Sequence, residues 1–430
     1  MPLRLYQKSE AFEAEFEKFV ASKRYIEEDV DSIVAEIVDN VRCNGDKAVA
    51  AFTKKFDRLS LDPAEFSIDE DQMDAAIAQC DRKTIAALET AAARIRAFHK
   101  TQCPKALEYE DGAGVRLGAR WNALDAVGLY VPGGTASYPS SVLMNALPAQ
   151  VAGVERIVMV VPTPDGNINP LVLAAAKLSG VNEIYRIGGA QAVAALAYGT
   201  ETIQPVDKIV GPGNAYVAAA KRRVFGVVGI DLIAGPSEIL VIADAKNDPD
   251  WIAVDLLSQA EHDTKAQSIL ITDSSTFADN VAEAISRQLQ VLPRASIARK
   301  SWEAQGAIIV VNALEDAASL VDHIAPEHLE LAISNPDAFA KKIRHAGAIF
   351  LGRYTPEAIG DYVAGPNHVL PTSRSARFSS GLGILDFMKR TTLVTCDAES
   401  LRRIGPAAVL LAEAEGLDAH ALSVSIRLND

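Results

Sequence analysis

The chain has 430 residues, too many for one ordinary core, so at least two domains with substantial buried surface are expected. A formal net charge of -14 argues against a generic nucleic-acid or anionic-membrane partner. The four cysteines, Cys43, Cys80, Cys103 and Cys396, form no C-x-x-C pair, and no apolar run approaches the ~20 residues of a membrane span. Met1 to Phe19 is charged and amphipathic, without the apolar core of a signal peptide. A soluble protein of the reducing cytoplasm is the expectation.

Residues 10 to 100 read as mostly helical. Phe12, Phe16 and Val20 recur at i+4, an Ala-rich segment runs from Lys83 to Phe98, and a helix over Val30 to Phe52 is interrupted at Asn44-Gly45-Asp46. No cluster of chemical groups falls here, so the region reads as scaffold. His99 is expected at the surface, without a role.

From Trp121 onward, short apolar runs end in glycine-containing turns and lead into helical stretches. Asp125 to Val131 runs into Pro-Gly-Gly, Arg156 to Val161 into Pro-Thr-Pro-Asp-Gly, Glu183 to Ile187 into Gly-Gly-Ala-Gln, and Asp207 to Val210 into Gly-Pro-Gly-Asn. A second series follows at 238–244, 268–272, 306–311 and 347–352. Strands alternating with helices imply parallel sheets covered on both faces, hence two α/β units with a soft boundary near residues 235 to 240. The last segment, after Phe387, reads as a helix entered at Gly405-Pro406 and a strand-like finish at Ile426-Arg-Leu, a tail suited to docking.

Between the second-series strands lies a helix capped by Asp248, with Pro249 as its first residue. Ile252, Ala253, Leu256, Leu257 and Ala260 share its apolar face, and Asp255, Gln259 and His262 line one stripe beside it, able to present an oxygen and an imidazole to one point. On this helix alone, a satisfied buried histidine beside a hydrogen-bonding glutamine is the simpler account.

Glycine turns between a strand and a helix let backbone amides approach a phosphate. Gly128-Leu-Tyr-Val-Pro-Gly-Gly134, Gly188-Gly-Ala-Gln191 and Gly211-Pro-Gly-Asn214 each end a predicted strand, where open α/β sheets bind ligands. None is G-x-G-x-x-G, so singly each is a turn, and together they favour a nucleotide. Pro326-Glu-His-Leu-Glu-Leu331 sets an acid beside an imidazole, aimed to opposite faces by an extended chain unless the turn brings both into one cleft. Asp361 sits in the glycine-flanked Gly360-Asp-Tyr-Val-Ala-Gly-Pro-Asn-His368, and Glu415 and His420 lie five residues apart on the final helix. With Gln259 and His262 these form a mixed nitrogen and oxygen set without thiolate, which suits zinc or a related divalent ion if they meet.

Over essentially its whole length the chain resembles the histidinol dehydrogenase family. The resemblance rests on the three glycine turns with Lys208-Ile-Val preceding the third, and on Ala234-Gly-Pro-Ser-Glu238, Ser258-Gln-Ala-Glu-His262, Pro326-Glu-His-Leu329, Gly360-Asp-Tyr362, Asn367-His-Val-Leu-Pro-Thr372 and Glu415-Gly-Leu-Asp-Ala-His420, in that order. It implies a zinc-dependent oxidation of L-histidinol to L-histidine through the aldehyde with two NAD, the last step of histidine biosynthesis. The implied zinc ligands are Gln259, His262, Asp361 and His420. His328 would be the general base, and Glu327 would activate the water that hydrates the aldehyde. Substrate contacts would be Ser237, Gln259, His262, Glu327, His328, Asp361, Glu415 and His420, and NAD contacts Tyr130, Gln191 and Asn214. Glu415 and His420 would complete the site of a partner in a homodimer. The implied fold is two incomplete Rossmann-like parallel-sheet domains with small N- and C-terminal helical segments. These are divided as 1-24, 25-120 with 236-386 around the metal, 121-235 around NAD, and 387-430 as the tail. Zinc beside a Glu-His pair could also serve a hydrolase, which leaves the three nucleotide-like turns idle.

Overall fold

The computed structural model describes residues 2–22, 29–133, 138–181, 183–233 and 235–428. Gly134 of the first glycine turn and Ala234 of the segment before Ser237 lie outside the described residues. In chain order the strands are β1 (Leu3–Tyr6), β2 (Leu107–Glu110), β3 (Arg116–Ala123), β4 (Ala126–Tyr130), β5 (Arg156–Val160), β6 (Glu183–Tyr185), β7 (Lys208–Val210), β8 (Gly229–Ile230), β9 (Glu238–Ala243), β10 (Gln267–Thr272), β11 (Ala307–Val310), β12 (His328–Ala332), β13 (Ala348–Leu351) and β14 (Met388–Thr395). All eight strands expected from the sequence are present, and both principal sheets are parallel throughout.

The first sheet runs β6-β5-β4-β7-β8. Counted from β4 this is the order of a dinucleotide-binding sheet without its sixth strand, and the strand order reverses between β4 and β7. The second sheet runs β1-β11-β10-β9-β12-β13, the same order counted from β9, extended by the N-terminal strand at one edge. The N-terminal segment therefore contributes a strand as well as its helix Phe12–Ala21. A third, antiparallel sheet β14-β3-β2 ties the tail to the segment before β4.

Alternate residues of the central parallel strands enter different cores, as burial on both faces requires. In β4, Val127 and Leu129 face one core of the first sheet and Tyr130 faces the other; in β9, Leu240 and Ile242 oppose Ile239 and Val241 across the second sheet. The helix Asp29–Asp57 lays Val34, Ile37, Val38 and Val41 against the alanines of helix Gly189–Tyr198, whose small side chains permit close approach. It breaks at Gly45, with φ 52° and ψ -134°, at the position the sequence marks. Helix Arg82–Lys100 covers the opposite face of the same sheet through Ala91, Ala92 and Ile95. These helices thus pack on the first sheet, not on the second, with which the sequence reading groups residues 25–120.

Three local expectations need correcting. His99 is fully buried, its Nδ1 2.9 Å from the Ile95 carbonyl oxygen, because it lies on the inward stripe with Ile95. The tail helix starts at Ala398, capped by Asp397 accepting from the Ser400 amide, and carries Pro406 inside it; Ile426–Leu428 form a 3-10 turn, not a strand. Glu415 and His420 lie on either side of a helix break at Gly416, so the pair does not share one helix.

Candidate active site

At the carboxyl edge of the first sheet the three glycine turns are knitted together at its switch point. The buried Tyr130 accepts a hydrogen bond at its hydroxyl from the Gly189 amide at 3.0 Å. Burial pushes its phenol up to about 12, against the pull of that amide, so the ring stays neutral. Gly211, at φ 111°, lies so close to the Tyr130 backbone that a Cβ would stand 2.2 Å from its carbonyl oxygen. Gln191, in the first turn of helix Gly189–Tyr198, is 1% exposed, and its Oε1 has no hydrogen-bond partner. The exposed Asn214 caps helix Ala215–Val224, its Oδ1 accepting from the amides of Tyr216 and Val217 at 3.1 and 3.2 Å.

At the amino edge of the second sheet, β9 and β12 start side by side, with His328 opposite Ile239. The helix Ala317–Ile324 ends at Ala325 in a left-handed conformation, φ 48°, and the turn through Pro326 delivers Glu327 immediately ahead of β12. That turn answers the geometric question left by the sequence, since Glu327 and His328 now serve one cleft. Their side chains are buried, with Glu327 Oε2 3.7 Å from His328 Nδ1. The Glu238 amide donates to Glu327 Oε2 at 2.8 Å, and the Glu238 carbonyl oxygen lies 2.9 Å from His328 Nδ1. A carbonyl can only accept, so Nδ1 carries the proton and neutral His328 keeps its lone pair on Nε2. Burial lowers the His328 pKa, opposed by the Asp361 charge and by the carbonyl contact. Burial also raises Glu327 well above the carboxylate range, against the Glu238 amide.

Helix Pro249–Ala260 follows β9 and returns to the amino edge, capped by Asp248 with Pro249 first, as the sequence predicts. Gln259 is on its last turn; His262 stands in the turn beyond, held by its amide to the Gln259 carbonyl at 3.2 Å, and is partly exposed. Asp255 hydrogen-bonds to the buried Glu330, and burial pushes it up to about 6. Asp361, on helix Glu357–Tyr362, brings Oδ2 to 4.0 Å from His262 Nε2. Burial opposes its ionisation, but the His368 hydrogen bond and nearby imidazoles outweigh this and hold it at about 2. Ser237 immediately precedes β9 at the same edge. His368 joins the two regions, with Nδ1 3.1 Å from the Asp361 carbonyl oxygen and Nε2 3.3 Å from Ser141 Oγ, at the start of the helix following β4.

The donor set fits a divalent cation. Gln259 is 2% exposed with its Oε1 unpartnered, an arrangement costly unless something binds there. Beside it stand a carboxylate ionised at neutral pH and an imidazole, separated by a gap too wide for a direct hydrogen bond and within the reach of one ion's ligand shell. Within this chain Glu415 and His420 are exposed on the tail helices rather than gathered with these groups.

Sequence reasoning passed over Glu357. It lies four residues before Asp361 on one short helix, a spacing that shares a face, and its Oε1 is 3.6 Å from His328 Nε2. Together with His328 and Asp361 it forms, among the described residues, a group whose ligand atoms all lie within 4.8 Å of one another. Burial and the Asp361 charge push Glu357 up to about 9, so it is protonated at neutral pH and can hydrogen-bond to Asp361. Glu330, two residues beyond His328 and so on the same strand face, was equally readable by period.

A dinucleotide-type sheet with glycine turns, joined to a second sheet that carries a buried acid-imidazole pair beside a donor set of a kind that suits a cation, has the architecture of a nucleotide-dependent α/β oxidoreductase. The family model for histidinol dehydrogenase matches residues 21–428. Curated histidinol dehydrogenases of Rhodospirillum rubrum and Rhodopseudomonas palustris are 65% and 63% identical, each over 100% of this chain and over 99% and 100% of their own lengths. The solved histidinol dehydrogenase of Elizabethkingia anophelis superposes with a TM-score of 0.94 at 39% identity, covering 99% of this chain and 98% of that one. The chain belongs to the histidinol dehydrogenase family, and is an oxidoreductase of the NAD-dependent class.

Proposed function

We propose that this protein oxidises L-histidinol to L-histidine in two hydride transfers to NAD, with a zinc ion and a homodimeric site. The observation that carries the reading is the buried His328 and Glu327 pair, fixed by the backbone N–H and C=O of Glu238, beside the unpartnered Gln259 oxygen. Gln259, His262 and Asp361, with His420 of a second copy, would hold the zinc, which when bound supplies a template for the substrate's imidazole and amine nitrogens. NAD, on the turns holding Tyr130, Gln191 and Asn214, supplies the hydride acceptor. Ser237 and, from the second copy, Glu415 would complete the substrate contacts.

His328 accepts the alcohol proton at Nε2 as the carbon loses hydride. This step yields aldehyde, NADH and a proton. The lowered pKa keeps His328 neutral and ready at pH 7. Glu327, once ionised, takes a proton from water as it adds to the aldehyde, and the hydrate then loses a second hydride and proton to give the acid. With its first oxygen occupied by the Glu238 amide, Glu327 has a second oxygen to offer that water.

Mixed dimers test the shared site. His420→Ala and His328→Ala chains, each inactive alone, recover partial activity when combined, since one composite site per dimer then keeps both histidines. Proven mixing without recovery would place the whole site in one chain. Zinc analysis of Gln259→Leu should show lost metal; full retention would remove Gln259 from the ligand set.

A further inference from the structure

Beneath the third glycine turn lies an ion pair that the chemistry above does not use. Lys221, on helix Ala215–Val224, meets Asp231, just after β8, with side chains only 3% and 2% exposed. Both reach one residue. The Gly211 amide donates to Asp231 Oδ2 at 2.8 Å, and Lys221 Nζ donates to the Gly211 carbonyl oxygen at 3.0 Å. A buried ion pair is weak ground for stability, because well-packed apolar residues of similar volume often do as well. What apolar residues cannot do is hold one residue by its N–H and its C=O together, fixing the peptides on both sides of it.

Gly211 needs such a grip. Its backbone is at φ 111°, pressed against the Tyr130 carbonyl, and it opens a turn whose other end is fixed by the Asn214 cap. Between these fixed points Gly213 has no room for a side chain, since a Cβ would stand 2.4 Å from Val217 Cγ1. We propose that Lys221 and Asp231 are positioning residues for the nucleotide, clamping Gly211 from behind so that the Gly211–Asn214 turn keeps one conformation and NAD meets it already ordered. The inference rests on the reading of the glycine turns as the NAD site. Ordering a loose turn at the moment of binding lowers affinity, whereas a preformed one avoids that cost.

The test uses the full-length dimer with Asp231→Asn, Lys221→Met and the paired Lys221→Met/Asp231→Leu, which keeps an apolar filling and a folded core. Dissociation constants for NAD are measured by calorimetry, beside melting temperature, kcat and the KM of each substrate. The clamp predicts that all three variants weaken NAD by about tenfold or more, through KM and Kd for NAD rather than KM for L-histidinol. The paired variant does so even where its melting temperature matches the parent. Unchanged NAD affinity in that variant, with any loss confined to the melting of the single variants, would reduce the pair to a stability element and overturn the proposal. Gln191→Ala and Asn214→Ala separate the two readings. If they too leave NAD affinity unchanged, the turns are not the nucleotide site and the clamp falls with them; if they weaken NAD while the clamp variants do not, the clamp alone fails.

Discussion

The two parallel sheets share a strand order yet present opposite edges to the site. In the first, the switch point between β4 and β7 ends in glycine turns whose backbones approach closely because Gly188 and Gly211 carry no side chain, a Cβ there standing 2.4 Å from Pro162 Cβ and 2.2 Å from the Tyr130 carbonyl oxygen. In the second, the corresponding point between β9 and β12 is closed. Arg353 reaches both Asp244 carboxylate oxygens at 2.7 Å, Ser334 donates to one of them at 2.9 Å, and Asn247 donates to the Ala332 carbonyl at 2.6 Å. The groups proposed to act there, Ser237, Glu327 and His328, sit instead at the amino edge. Shared topology therefore leaves open which edge does chemistry, and the residues at strand ends decide it.

That contrast can be broken at several points. The largest effect is expected at the amino edge of the second sheet, where His328→Asn should lower kcat by about 10²–10⁴-fold with zinc content retained. Loss of metal in that variant would favour a ligand role for His328, beside Glu357 and Asp361. At the open switch point, Gly211→Ala forces a Cβ against the Tyr130 carbonyl at a strained φ, a cost of about 1–3 kcal/mol that the turn relieves by moving; NAD affinity should fall by about tenfold, and an unchanged KM for NAD would detach the turn from the nucleotide.

A smaller effect concerns the second half-reaction. Burial first, with the neighbouring acids, holds Glu327 protonated well above the usual range, against the Glu238 amide. Oxidation of added L-histidinaldehyde should therefore climb with pH as Glu327 ionises, and Glu327→Gln should flatten that climb while slowing alcohol oxidation less. Equal slowing of both half-reactions would contradict the division of labour between Glu327 and His328.

The smallest effect on turnover belongs to the closed switch point. Asp244→Asn should cost about 1.5–3 kcal/mol of stability and leave the KM for NAD as it was; a shifted KM would mean the second sheet also takes part in nucleotide binding. Burial opposes ionisation of Asp244, and the Arg353 and Ser334 hydrogen bonds outweigh it, so its pKa is lower folded than unfolded. Its stabilisation is then complete above the unfolded value of about 3.9 and fades as pH falls through the folded one. Urea midpoints from pH 7 to pH 3 should converge between parent and Asp244→Asn.

Much of this was legible in the chain itself, for physical reasons. Apolar runs closed by glycine announce parallel strands, and Asp248-Pro249 announces a helix start, because both signals are local. Helix partners are not local. Nothing in Val34 to Val41 says which sheet it will meet, and His99 reads as surface until its Ile95 stripe is seen to face inward. Among the candidate site residues, Gln259, His262, Asp361 and the Glu327-His328 pair stand out by residue type. Glu357 was missed although its i, i+4 spacing to Asp361 was in plain view. The Lys221 and Asp231 pair had no signature, since only the fold brings both to Gly211.

The most direct measurement counts NADH formed per L-histidinol consumed by the purified protein, with and without a zinc chelator. Two NADH per substrate, lost on chelation and regained with zinc, is the predicted result. One NADH with aldehyde released, or turnover indifferent to chelation, would contradict it.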